Sequence, residues 1–145
     1  MKAREFWEYL VENLLSDKEN ATKYSESPNN NQALFKKTNS DKAIYLLTEF
    51  ADDYDIRKKN AARITHVFMR DILNISDITD ETELSKAGML KDLYDCRVCV
   101  ADITQMYVRK IMPASYETPS LIFGSEELFT IKEAENIIQN IKSLN

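Results

Sequence analysis

The chain has 145 residues, 19 Lys and Arg against 24 Asp and Glu, and a net charge of −5. That size is one domain, and that balance excludes the basic stripe on which nucleic-acid binding rests. Two glycines, three prolines, two cysteines and one histidine disfavour turn-rich β architectures, glycine-rich phosphate loops and a disulfide framework. No apolar run reaches the length of a membrane span. Helix is the expected currency of the fold.

The first element covers about 3–15, where Phe6, Trp7, Leu10, Val11 and Leu14 recur at helical spacing between charged residues. "MKAREFWEYLVENLL" has no continuous apolar stretch and no small-residue cleavage site, so it does not read as a signal peptide. The compartment is left open: cytoplasmic if this N-terminus is native, the cell surface if a leader was removed. Residues 16–40 are polar and read as a loop, with a short helical turn at "ALFKK" and Ser40 placed as an N-cap.

A helix over 41–54 follows, with Ile44, Leu47, Phe50, Ala51 and Tyr54 on one stripe. The next spans 57–73, with Ala61, Ile64, Val67, Phe68 and Ile72 inward. His66 falls off that stripe and is expected to be partly exposed. Asp80 and Glu83 resemble a capping box for a short helix that Gly88 ends. A long apolar helix over 95–112 carries Cys96, Cys99, Val100, Ile103, Tyr107 and Ile111 and stops at Pro113. Residues 113–129 are irregular and hold two prolines and Gly124, a long loop either packed by Leu121, Ile122 and Phe123 or functional. "TIKE" at 130–133 is a T-x-x-E capping box that opens the last helix, whose stripe is Ala134, Ile137, Ile138, Ile141 and Leu144.

The fold expected is therefore all-α, an irregular bundle of five or six helices in one domain, 1–145.

The candidate chemistry is sparse. Cys96 and Cys99 form a C-x-x-C, which suits a metal clamp, a redox pair or two small buried residues on one helix face. Zinc needs four ligands, and the chain offers two thiols and one imidazole, so no metal and no cofactor is expected. A redox pair sits at a helix N-terminus, where the dipole lowers the thiol pKa, but Asp92 and Asp95 would raise it. Phase with Val100, Ile103 and Tyr107 favours buried filler. The acidic clusters at 52–55 and 76–83 lack the glycine and spacing of an EF-hand loop.

The second half resembles the S-layer homology domain. It has a helix with an inward apolar stripe (95–112), an irregular segment holding Phe123 and Gly124, then "FTIKEAENII". Thr130 matches the Thr of that family's T-R-A-E motif and Glu133 its Glu, while Ile131 replaces its Arg. "IRKKNAARITHVF" (56–68) resembles a second motif helix, in which Arg57 matches the Arg and Ile56 and Lys59 replace Thr and Glu. The resemblance implies two helix pairs, in units 41–73 and 92–145, with an N-terminal helix and loop at 1–40. It also implies binding of cell-wall polysaccharide with acidic substituents, a role only Arg57 is placed to carry.

The function expected is a non-enzymatic binding or interaction module. Its contact surfaces are the 113–129 loop and the Arg57, Lys58 and Lys59 cluster, and its partner is a protein or an acidic glycan. The alternative is a small intracellular thiol-redox protein or enzyme using Cys96, Cys99 and His66. An oligomer that docks through Phe6 and Trp7 of the terminal helix is a further expectation.

Overall fold

In the computed structural model, which describes residues 1–15 and 41–144, six α-helices are formed and no β-strand appears among the described residues. They are α1 (Ala3–Leu14), α2 (Asp41–Leu47), α3 (Lys58–Val67), α4 (Glu81–Ser85), α5 (Val100–Val108) and α6 (Ile131–Lys142). The fold is all-α, an irregular bundle around one core. The "ALFKK" turn and the Ser40 cap lie outside the described residues. Among those described, no helix is long and apolar enough to cross a membrane.

Three helices open at one place. The Met1 nitrogen donates to the Phe129 carbonyl (3.4 Å). The Phe129 amide donates to the Ile56 carbonyl (3.0 Å), and the Ile56 amide to the Met1 carbonyl (2.9 Å). These bonds close a ring that joins the residues just before α1, α3 and α6. Each N-cap (Lys2, Arg57, Thr130) is extended, which aims the following helix into the core. At the start of α1 the Glu5 carboxylate accepts from the Lys2 amide (2.8 Å), and a full capping box, Thr130 with Glu133, starts α6 as the sequence indicates. Aligned N-cap to N-cap, Arg57 stands with Thr130 and Lys58 with Ile131.

Behind the ring the core is aromatic. Phe6 meets Phe129 edge-on at 4.7 Å and Trp7 meets Phe68 at 5.1 Å. Phe6 and Trp7 are fully buried, so they are spent inside the bundle and not presented to a partner. Each such ring removes a large apolar area from water, worth about 1.5–3 kcal/mol for a fully buried Phe.

Several boundaries differ from the periodicity. The helix expected to 54 ends at Leu47, and Ala51 and Tyr54 are exposed. A turn follows, in which the Tyr54 amide donates to the Ala51 carbonyl (3.1 Å), and Lys2 Nζ bonds the Asp53 carbonyl (2.8 Å) and the Asp55 carboxylate (2.9 Å), which ties the chain to the ring. The 57–73 helix is α-helical only to Val67, then continues as a π-helical turn, Phe68–Ile72. Asn74, with φ of 57°, ends it in the left-handed region. The 95–112 helix reduces to Val100–Val108. It is preceded by 3₁₀ turns Leu93–Asp95 and Arg97–Cys99 and closed by Lys110 at φ 61° rather than by Pro113. Gly88 does not end the helix before it, because the chain runs on as a 3₁₀ turn through Met89.

Candidate functional site

Lys58 is the first residue of α3, and the extended N-cap turns its side chain inward. It is 3% exposed. Its Nζ donates to the carbonyls of Phe123 (2.6 Å) and Pro113 (2.7 Å) and to Ser115 Oγ (3.0 Å), and it lies 4.4 Å from the Phe123 ring centre. Burial pushes its pKa down, while the charges of Glu133, Glu127 and Asp92 oppose that. A hydroxyl 3.0 Å from an amine resembles a base-activated nucleophile. Here the ring face and the carboxylates favour the ammonium, whose three protons have three acceptors and which has no lone pair to take another.

Asp92 grips the same loop from the opposite sign. Its carboxylate accepts from the amides of Phe123 (2.8 Å), Gly124 (2.9 Å) and Ser125 (3.0 Å). Burial alone would raise its pKa, but these N–H bonds outweigh it and hold the carboxyl below its usual range. Gly124 has φ of 92°, and a Cβ there would run into Glu127 Oε1 and Ser115 Oγ. Three successive amides reach one carboxylate because the residue between them has no side chain.

The loop so fixed walls a cleft of about 450 Å³ against α6. Ile111, Met112, Pro113, Ala114, Leu128 and Ile137 supply its apolar lining. Lys58, Ser115, Tyr116, Glu127, Thr130, Glu133 and Asn136 supply its polar groups. The Tyr116 hydroxyl donates to Glu127 Oε2 (2.9 Å), a bond that raises the phenol's pKa. Glu133 is engaged by the backbone and hydroxyl of Thr130. The other two basic residues also hold the loop: Arg57 Nη1 donates to the Glu126 carbonyl (3.2 Å) and Lys59 pairs with the Glu126 carboxylate. The Arg57, Lys58 and Lys59 cluster thus lies beside the 113–129 loop, as its inner support.

His66 is 4% exposed, contrary to the partial exposure expected from its phase. α3 runs through the middle of the bundle and is buried on nearly every side, so leaving one stripe does not bring a side chain to water. Nδ1 lies 2.8 Å from Asp102 Oδ1 and Nε2 lies 2.7 Å from Asp77 Oδ1. Burial pushes the imidazole's pKa down, but the hydrogen bonds of Asp102 and then Asp77 outweigh it and the pKa is raised. Beside it, Gln105 pairs through both amide atoms with the Ile78 backbone (2.9 Å each). Together these ties dock the 74–80 segment onto α5.

Cys96 and Cys99 are joined in a disulfide. Cys99 is buried and Cys96 half-buried. They sit in the turn before α5 and not on its stripe. Both ring nitrogens of His66 are taken by carboxylates, so the imidazole is not a partner for either sulfur. Among the described residues, no group of three or more His, Cys, Asp or Glu is placed to hold a metal ion.

Sequence reasoning gave no role to Asp102, Ser115 and Glu127, saw Asp77 only within the 76–83 acidic cluster, and saw Asp92 only as a flank of the cysteines. Each acts across 11 to 57 residues of chain, and no local spacing marks such pairs. No protein-family model, no curated protein and no solved structure matches this chain.

Proposed function

We propose that the chain is a binding module of S-layer-homology-like arrangement that takes a hydroxyl-rich glycan in the cleft between the 113–129 loop and α6. The observation that carries this reading is the cleft itself, which has the mixed lining of a ligand site: an apolar wall with a few convergent polar groups. Its wall is anchored from inside by Lys58 and Asp92, so little ordering is left for the ligand to impose. The shared opening of α3 and α6 supports the family-like arrangement. The N-cap alignment sets Lys58, rather than Arg57, level with Ile131.

The charge of the lining favours a neutral or amine-bearing sugar over an acidic one. Glu127 and Glu133 face the cleft, and the one cation in its lining, Lys58, has its protons committed to two carbonyls and the Ser115 hydroxyl of the 113–129 loop. Titration calorimetry with soluble cell-wall polysaccharides, neutral, amine-bearing and acidic, tests this. The expected result is saturable binding of the first two, weakened at least tenfold in Tyr116→Ala/Glu127→Gln with thermal unfolding unchanged. Absence of saturable binding to any of them, or binding indifferent to that double variant, contradicts it.

A further inference from the structure

We propose that Cys96 and Cys99 form a thiol–disulfide exchange centre, in which Cys96 is the sulfur that an incoming thiol attacks and Cys99 the one that leaves. This site is independent of the cleft.

The two sulfurs differ in access. Cys99 is fully buried, whereas Cys96 is half-buried in a turn whose neighbours Asp95 and Arg97 are exposed. Tyr94 and Val98, 69% and 71% exposed, flank it with apolar surface. A half-buried cysteine joined to a fully buried one directs an incoming thiol to a single sulfur, since access decides which sulfur is attacked.

The position in the fold also suits it. The Arg97–Cys99 turn runs directly into α5, so Cys96 caps a continuous helical stretch and Cys99 is the N-cap residue of α5 itself. A thiolate formed there faces the positive end of the helix. Of the two carboxylates that the sequence sets against thiolate formation, Asp92 is committed to the amides of residues 123–125, and Asp95, next to Cys96, is exposed to water and ions that screen its charge.

A structural staple is the weaker explanation. The bond closes a loop with a separation of three residues, the kind of closure that removes least entropy from the unfolded chain. The start of α5 is already fixed by the burial of Leu93, Ile103 and Met106.

The reaction balances with a dithiol as reductant. A thiolate of the dithiol attacks Cys96 Sγ, the Cys96–Cys99 bond breaks, and Cys99 leaves as a thiolate that takes a proton. The second thiol of the reductant loses its proton and attacks the mixed disulfide at the reductant's own sulfur. Cys96 is released as a thiolate and takes a proton. The dithiol ends as a disulfide and the protein ends with two thiols.

The test equilibrates the native full chain with mixtures of reduced and oxidised dithiothreitol, followed by alkylation and intact-mass analysis, with circular dichroism in parallel. The expected result is reversible and complete conversion, with the helical signal and cooperative unfolding retained. In Cys99→Ser, oxidised glutathione should form a mixed disulfide on Cys96 at least tenfold faster than it does on Cys99 in Cys96→Ser. A bond that opens only in denaturant, a chain that loses its helical signal on reduction, or equal rates at the two sulfurs would overturn the proposal. If either serine variant fails to fold, the wild-type titration decides alone.

Discussion

The protein buries two cationic side chains on one helix, α3, and compensates them in opposite ways. Lys58, at the start of the helix, is met by main-chain carbonyls and a hydroxyl, none of which titrates near neutral pH. His66, eight residues further along the chain, is held between two carboxylates. The first arrangement fixes a loop by groups that do not titrate near neutral pH, so that only the lysine itself responds, on the alkaline side. The second ties α3 to α5 and the 74–80 segment through a group whose charge changes close to the physiological range. Near neutral pH a buried cation is thus a constant strut or a pH-dependent one according to its chemistry and what faces it.

The largest effect should come from removing the anionic half of the loop's clamp. Asp92→Ala leaves three amides without an acceptor, and at about 1–3 kcal/mol per unsatisfied buried group the variant should lose about 3 kcal/mol or more, read by urea unfolding. Lys58→Met keeps the volume but strips Pro113 and Ser115 of their donor. A loss of about 2 kcal/mol is expected, with little change between pH 6 and 8. A loss confined to low pH would erase the contrast with His66.

His66 sharpens the comparison through pH. Its folded pKa is raised above the ordinary 6.5, so its contribution is fully present below 6.5 and fades as pH rises through the folded value. Lys58 has the opposite sign: its folded pKa is lowered from 10.5, so its contribution grows with pH in the alkaline window below 10.5. Comparing His66→Gln with the wild type should give a stability gap of about 2 kcal/mol at pH 6 that narrows by pH 9. A gap independent of pH would mean the imidazole is not held as a cation. The smallest effect is expected at Thr130→Ala, about 1 kcal/mol by thermal unfolding, since one exposed cap is lost while the clamp stays intact.

What the sequence made legible is what is local. The Thr130 and Glu133 box, the Asp80 cap and the inward stripes of α1 and α6 depend on residues three or four apart, and they stand where the pattern places them, except that Leu144 of the last stripe lies past the end of α6 and is exposed. Helix ends were less legible because bonds to distant chain compete with the local pattern: the stretch after the helix at 41 is turned and tied by Asp53 and Asp55 to Lys2, 51 residues or more away. The burial of His66 was hidden because α3 is packed on several sides, where a single-stripe pattern no longer separates core from surface. In the candidate site, the 113–129 loop and the 57–59 cluster could be singled out by composition. Their mutual contact could not, because 55 to 69 residues separate Lys58, Arg57 and Lys59 from the loop atoms they bind.

The central claim is that the 113–129 segment is a fixed wall hung on Lys58 and Asp92 and not a free loop. Native-state amide hydrogen exchange at Phe123, Gly124 and Ser125 tests it most directly. Protection approaching that of the α3 core is expected, abolished in Asp92→Ala while α1 and α6 stay protected. Exchange at these three amides as fast as in an unstructured peptide, in the wild-type protein, would contradict it.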